Sequence, residues 1–91
     1  MSIDGTFTGT RRLRIRLFAG ARERAGEEFV EITVPRDAAI RDARRCLGND
    51  VPALADHAPF LLFAIGTEYA DDGERIPEDC ELVAFPPVSG G

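Results

Sequence analysis

The sequence predicts an α+β domain in which about five strands pack on one main helix. Three observations carry that prediction. Two runs near the start alternate apolar and polar residues with period two. One central segment repeats its apolar residues at helical spacing between start and stop signals. Three further short apolar runs follow, separated by turn residues. The length, 91 residues, corresponds to one domain with a modest core, too small to enclose a deep substrate cavity of its own.

Taken in order, residues 1–10 are rich in Gly, Thr and Ser, lack periodicity and are expected to form a flexible N-terminal extension. The run RRLRIRLF then places Leu13, Ile15 and Leu17 on one face and Arg12, Arg14 and Arg16 on the other, a half-buried strand with a solvated arginine face. AGARERAGEE is read as a polar connection with Gly20 and Gly26 as breakers. FVEITV alternates again, with Val30, Ile32 and Val34 inward, and its closeness to the first run suggests an antiparallel pair. RDAAIRDARRCLGND is the helix: Asp37 is the expected N-cap, Ile40, Ala43 and Leu47 share the buried face, and Gly48 is the expected stop. Its Arg41, Arg44 and Arg45 are read as a solvated face. NDVPALADHAP should open a second, short helix capped by Asp50, with Pro52 at its start and His57 at its end.

FLLFAI is short and continuously apolar, as a buried strand is. Gly66 at the first central position of the following turn suits a type II′ hairpin. The final run, CELVAF, is apolar on both faces at its core, as expected of a strand in the middle of a sheet.

Composition narrows the function. Hydrophobic residues make up 44% and charged residues 30%, the proportions of an ordinary globular protein. No apolar run reaches membrane-spanning length, and the first ten residues are neither basic nor apolar enough for a signal peptide, so a cytoplasmic protein without a membrane partner is expected. Cys46, Cys80 and His57 are too few and too scattered to suggest a zinc site, and the two cysteines are read as packed thiols. Every one of the 11 basic residues is Arg. The net charge is −5 and is uneven: residues 66–91 hold seven acids against Arg75 alone. That asymmetry argues against nucleic acid and fits either simple solubility or a partner with a basic surface.

The end of the chain carries the most specific signal. The last strand runs straight into Pro86-Pro87, where the ladder must stop because proline donates no hydrogen bond and two in succession favour an extended polyproline segment. Val88, Ser89, Gly90 and Gly91 follow. Glycine without a Cβ makes a thin, adaptable terminus able to thread a narrow channel. Its single reactive group is the Gly91 carboxylate, a poor electrophile until adenylation by ATP turns one oxygen into a leaving group.

On these residues the chain resembles the small subunit of molybdopterin synthase, a ubiquitin-like sulfur-carrier family. The similarity spans Leu13 to Gly91 and rests on IRLFAGARERAG, on LFAIGTEYADDGERIPEDCELVAFPPVSGG and above all on the terminal FPPVSGG. The chain departs from the family in having Gly66-Thr67 where Asn-Gly is usual at the hairpin, and residues 1–10 have no family counterpart. The resemblance implies a β-grasp fold with a mixed sheet, the last strand lying beside the first and parallel to it. The implied organisation is a β-grasp domain over residues 11–85 and an extended tail over 86–91. Gly91 would be adenylated by an enzyme of the ubiquitin-activating type and converted to a thiocarboxylate. Pro86, Pro87, Val88, Ser89 and Gly90 would thread the partner active sites. Phe85 would pack in the interface with the synthase large subunit, in a heterotetramer that delivers sulfur to a cyclic pyranopterin phosphate precursor. No cofactor or metal is implied on the chain itself, ATP being used by the activating enzyme, and the chain would catalyse nothing alone. The alternatives are a sulfur carrier for thiamin or cysteine biosynthesis, or a ubiquitin-like modifier joined through Gly91 to lysines of target proteins.

Overall fold

A computed structural model describes residues 9–87. Within it, strand β1 (Thr10–Leu17) pairs antiparallel with β2 (Phe29–Pro35), so that Leu13 faces Ile32 and Ile15 faces Val30. The alternation read from the sequence holds: Leu13, Ile15, Leu17, Ile32 and Val34 are buried, while Arg12, Arg14, Glu31 and Thr33 are exposed. β1 starts at Thr10, within the expected N-terminal extension, and the Gly9 carbonyl accepts from the Arg36 N–H at 3.0 Å; residues 1–8 lie outside the described residues.

Three more strands complete one sheet in the order β2-β1-β5-β3-β4. β3 (Leu62–Ile65) and β4 (Glu68–Tyr69) form the predicted hairpin. Gly66 has φ +64° and Thr67 keeps a negative φ, the sign pattern of a type II′ turn, which a β-carbon at residue 66 would strain. β5 (Leu82–Phe85) lies in the centre, antiparallel to β3 and parallel to β1. Its residues are apolar on both faces because it has a neighbour on either side: Leu82, Val83 and Ala84 are all buried.

The helix α2 (Ile40–Asp50) covers one face of the sheet with Ile40, Ala43 and Leu47, as its spacing predicts. The core joins these to Ile15, Leu17, Phe63, Leu82 and Ala84, with Ile76 entering from the loop before β5. Both ends of the helix differ from expectation. Ala39, not Asp37, occupies the N-cap position, and the Asp42 carboxylate accepts a hydrogen bond from its N–H at 2.9 Å. The acidic loop crosses this end and supplies carbonyls to the next free donors, Glu74 accepting from the Ile40 N–H and Asp72 from the Arg41 N–H. With those donors satisfied by distant groups, a local cap at Asp37 has no role. The helix also continues past Gly48 to Asp50. Gly48 is instead a point of close approach, where a β-carbon would stand 3.4 Å from that of Ala58.

Two further readings are corrected. AGARERAGEE holds a short helix, α1 (Ala19–Ala25), which buries Ala21 and stops at Gly26, whose N–H bonds the Arg22 carbonyl. At seven residues it sets only Ala21 and Ala25 against the core, too little for a periodic signal. The expected second helix is two 3₁₀ turns, Pro52–Leu54 and Ala58–Phe60, with His57 immediately before the second. Pro52 opens the first turn as expected, but Asp50 does not cap it: Asp50 ends α2, and its carboxylate accepts from the Thr33 N–H at 3.3 Å. Among the described residues no helix is long and apolar enough to cross a membrane.

Candidate functional site

The tail leaves from the middle of the sheet. β5 is held on both sides up to its last residue: Phe85 pairs with Leu62 of β3, and the Phe18 N–H donates to the Ala84 carbonyl at 3.1 Å on the β1 side. Pro86 then ends the ladder, having no N–H to offer. Pro86 is half-buried and Pro87 is exposed, so the chain emerges from the body between these two residues. Val88, Ser89, Gly90 and Gly91, to which the sequence assigns the threading and the chemistry, lie outside the described residues.

Around the exit, the sheet face turned away from α2 carries an apolar strip. β5 contributes Val83 and Phe85, β3 contributes Leu62 and Ala64, and β4 contributes Tyr69. The Phe85 and Tyr69 rings are 5.8 Å apart and tilted, a favourable aromatic geometry. Tyr69 is 73% exposed and Leu62 38%, an unusual outlay of large apolar surface for a small domain. The sequence singled out only Phe85. Leu62 was hidden because it falls inside the continuous run FLLFAI, and Tyr69 because its strand is two residues long. The usable signal was pairing: a hairpin turn at Gly66-Thr67 sets Tyr69 opposite Ala64, on the same face as Phe85.

Beside the strip the same face is cationic and aromatic. The Arg14 guanidinium lies 4.0 Å from the centre of the Phe29 ring, and that of Arg16 lies 4.9 Å from Phe18. Arg16 also pairs with Glu28 at 2.9 Å and Glu81 at 3.7 Å. The arginine face of β1 is therefore organised by stacking and pairing rather than simply solvated. The acidic C-terminal third is partly spent in the same way: Asp72 pairs with Arg44, Glu78 with Arg36 and Glu81 with Arg16.

Arg44 corrects the reading of the helix arginines. Arg41 and Arg45 are exposed, but Arg44 reaches the second 3₁₀ turn and the residue after it, donating to the carbonyls of Ala58 at 2.8 Å and Leu61 at 2.7 Å and to the Asp72 carboxylate at 2.7 Å. It fixes the loop that delivers the chain into β3. Cys46 and Cys80 are free and half-buried, and burial pushes both thiols up from their ordinary range despite nearby Arg45 and Arg11 respectively. Among the described residues no three His, Cys, Asp or Glu side chains gather closely enough to hold a metal ion.

A mixed sheet in this order, wrapped on one main helix with its central last strand parallel to the first, is the ubiquitin-like β-grasp. Within that class the chain belongs to the ThiS family, whose model matches residues 15–91. It is 28% identical over 89 residues to the molybdopterin synthase sulfur carrier subunit of Arabidopsis thaliana, a match covering 98% of this chain and 93% of that protein. It is similar to the crystal structure of SAMP1 from Haloferax volcanii, with 34% identity, a TM-score of 0.73 and coverage of 89% of this chain and 100% of that one. A chain in the complex of subunits 1 and 2 of molybdopterin-converting factor from Helicobacter pylori shares the fold, with a TM-score of 0.60 at 18% identity over 89% of this chain and 100% of that one.

Proposed function

We propose that this chain is the sulfur carrier of molybdopterin synthase, working in the cytoplasm as the small subunit of a two-protein sulfurtransferase. One observation carries the reading: a ThiS-family body whose central strand runs into Pro86-Pro87 and on to Gly90-Gly91, with the family match extending to residue 91. A carboxylate oxygen of Gly91 attacks the α-phosphorus of ATP on an enzyme of the ubiquitin-activating type and pyrophosphate leaves. A sulfur donor then displaces AMP from the acyl-adenylate, leaving a thiocarboxylate. Pro86, Pro87, Val88, Ser89 and Gly90 serve as the thread that carries this group into the activating enzyme and then into the large subunit. There the sulfur passes to the pyranopterin precursor. The carrier supplies the reacting atom and the reach; the catalytic groups belong to its partners. No cofactor stays on the chain.

The apolar strip of Leu62, Tyr69, Val83 and Phe85 is the surface offered to the large subunit, and the two-subunit complex from Helicobacter pylori supports a partner of that kind. Rim arginines and acids beside it tune the rate of encounter rather than the affinity.

The test is the intact mass of the protein purified from its native host. Replacement of one terminal oxygen by sulfur adds about 16 Da, the expected signature of an activated acyl terminus that has met a sulfur nucleophile. Deleting Gly91 should remove the gain and abolish molybdopterin formation without lowering thermal stability; full synthesis by the shortened protein would overturn the reading.

A second reading rests on the likeness to SAMP1, the small archaeal modifier protein 1 of Haloferax volcanii. In that reading Gly91 is joined to lysine amines of target proteins. The absence of Lys from this sequence rules out lysine-linked chains of the protein on itself but not single conjugation. Higher-mass bands that resist reductant, in place of the small mass gain, would favour it.

A further inference from the structure

Gly20 sits in the first turn of α1, where its backbone does not call for glycine. It has helical conformation without a positive φ, and alanine is the better helix former there. The bare face that it leaves on the helix meets Pro86. A β-carbon at residue 20 would stand 3.7 Å from Pro86 Cγ, so the ring of the first tail residue lies over bare helix backbone. Both residues are half-buried.

The ground beneath that contact is held from three directions. Phe18 donates its N–H to the Ala84 carbonyl at 3.1 Å, and its own carbonyl accepts from Ala21 and Arg22, so one residue ties the end of β5 to the start of α1. Ala19 has φ +53°, the left-handed region, and among the described residues it is the only non-glycine with a positive φ. Such a conformation persists where the surroundings impose it. Here the strained corner turns the chain out of β1 so that the face of Gly20 meets the tail.

We propose that the Ala19–Gly20 corner is a seat for Pro86 that sets the direction in which the tail leaves the sheet, making Gly20 a positioning residue for delivery of the C-terminus. The inference rests on the carrier reading. A tail free to swivel from residue 86 onward would seldom present its end at a fixed reacting point. Gripping its first residue on the body removes that freedom before the partner is met, and small misplacements of a reacting group are costly in rate. The seat also separates grip from docking: Pro86 is held by α1, on the far side of β5 from the strands that carry Leu62 and Tyr69.

The experiment uses the full chain with its activating enzyme and ATP. Wild type, Gly20→Leu, Gly20→Ala and Pro86→Ala are compared for ATP-dependent charging of the terminus, read as pyrophosphate release, and for cross-relaxation between the residue 20 α-protons and the Pro86 ring. Gly20→Leu should lose the cross-peak between the residue 20 α-proton and the Pro86 ring and charge at least about tenfold more slowly in kcat, with KM little changed because the rest of the body's surface is unaltered. Gly20→Ala should recover the rate, since its methyl stands at ordinary contact distance from the ring. Pro86→Ala, which cannot disturb the helix, should reproduce the kcat loss if Gly20→Leu fails to fold. Wild-type charging by Gly20→Leu or Pro86→Ala would overturn the seat, as would the absence of the cross-peak in wild type. Failure of wild type itself to be charged would instead count against the carrier reading, and the cross-peak alone would then decide the seat.

Discussion

The two faces of the sheet are built from similar residues and put to different uses. The face under α2 buries Ile15, Leu17, Phe63, Leu82 and Ala84 almost completely, and every buried residue among those described is apolar. The opposite face carries Phe85, Tyr69, Leu62, Phe29 and Phe18, yet no helix among the described residues covers it, and its rings stack on one another or beneath arginines. A Phe on the first face contributes to folding. A Phe on the second contributes little to folding and remains available to a partner. On the proposed function, the difference teaches that in a domain this small the sheet's two sides divide stability from recognition, with the tail leaving from the strand that both sides share.

The sharpest way to break the comparison is a matched pair of truncations. Phe63→Ala removes a ring that is 1% exposed and should cost about 3–5 kcal/mol, a large part of a small domain's total stability, read from urea denaturation. Phe85→Ala should cost only about 1 kcal/mol of stability, the scale of its ring contact with Tyr69. It should, however, weaken binding to the large subunit by roughly 2 kcal/mol, about thirtyfold by calorimetry, as a central aromatic anchor does. If Phe85→Ala instead destabilised the fold as much as Phe63→Ala and bound normally, the division of the two faces would be wrong.

A smaller effect sharpens the comparison at the edge of the core. Cys46 and Cys80 pack partly against it, and desolvation by burial raises both thiol pKa values above the ordinary thiol range. A raised thiol pKa means that, at alkaline pH, the folded state keeps protons that the unfolded chain has lost. Stability is therefore unaffected below the unfolded thiol pKa and falls as pH rises through and above it. Denaturation midpoints should decline between pH 8 and 10, and the Cys46→Ser, Cys80→Ser double variant should show a shallower decline. At neutral pH both thiols should alkylate more slowly than free cysteine, because little thiolate is present.

Much of this was written in short-range pattern. Period-two alternation identified β1 and β2 and their inward residues, helical spacing identified the buried face of α2, and the apolar LVAF core identified the central strand, because each of these depends on which side of a regular backbone faces the core. The Gly-Gly tail after two prolines was equally legible, being a property of covalent sequence. What the sequence could not decide was set by partners distant along the chain. The start of α2 is fixed by carbonyls of Asp72 and Glu74, more than thirty residues away, so the local cap signal at Asp37 was overridden. Arg44 is a brace rather than a solvated charge because the second 3₁₀ turn and the residue after it bring three carbonyls to it. α1 is too short to announce itself, and it forms where Phe18 is pinned to β5. The apolar strip likewise exists only once β3, β4 and β5 are aligned in register, since Leu62, Tyr69 and Phe85 come from three segments whose shared face is a consequence of pairing and not of spacing.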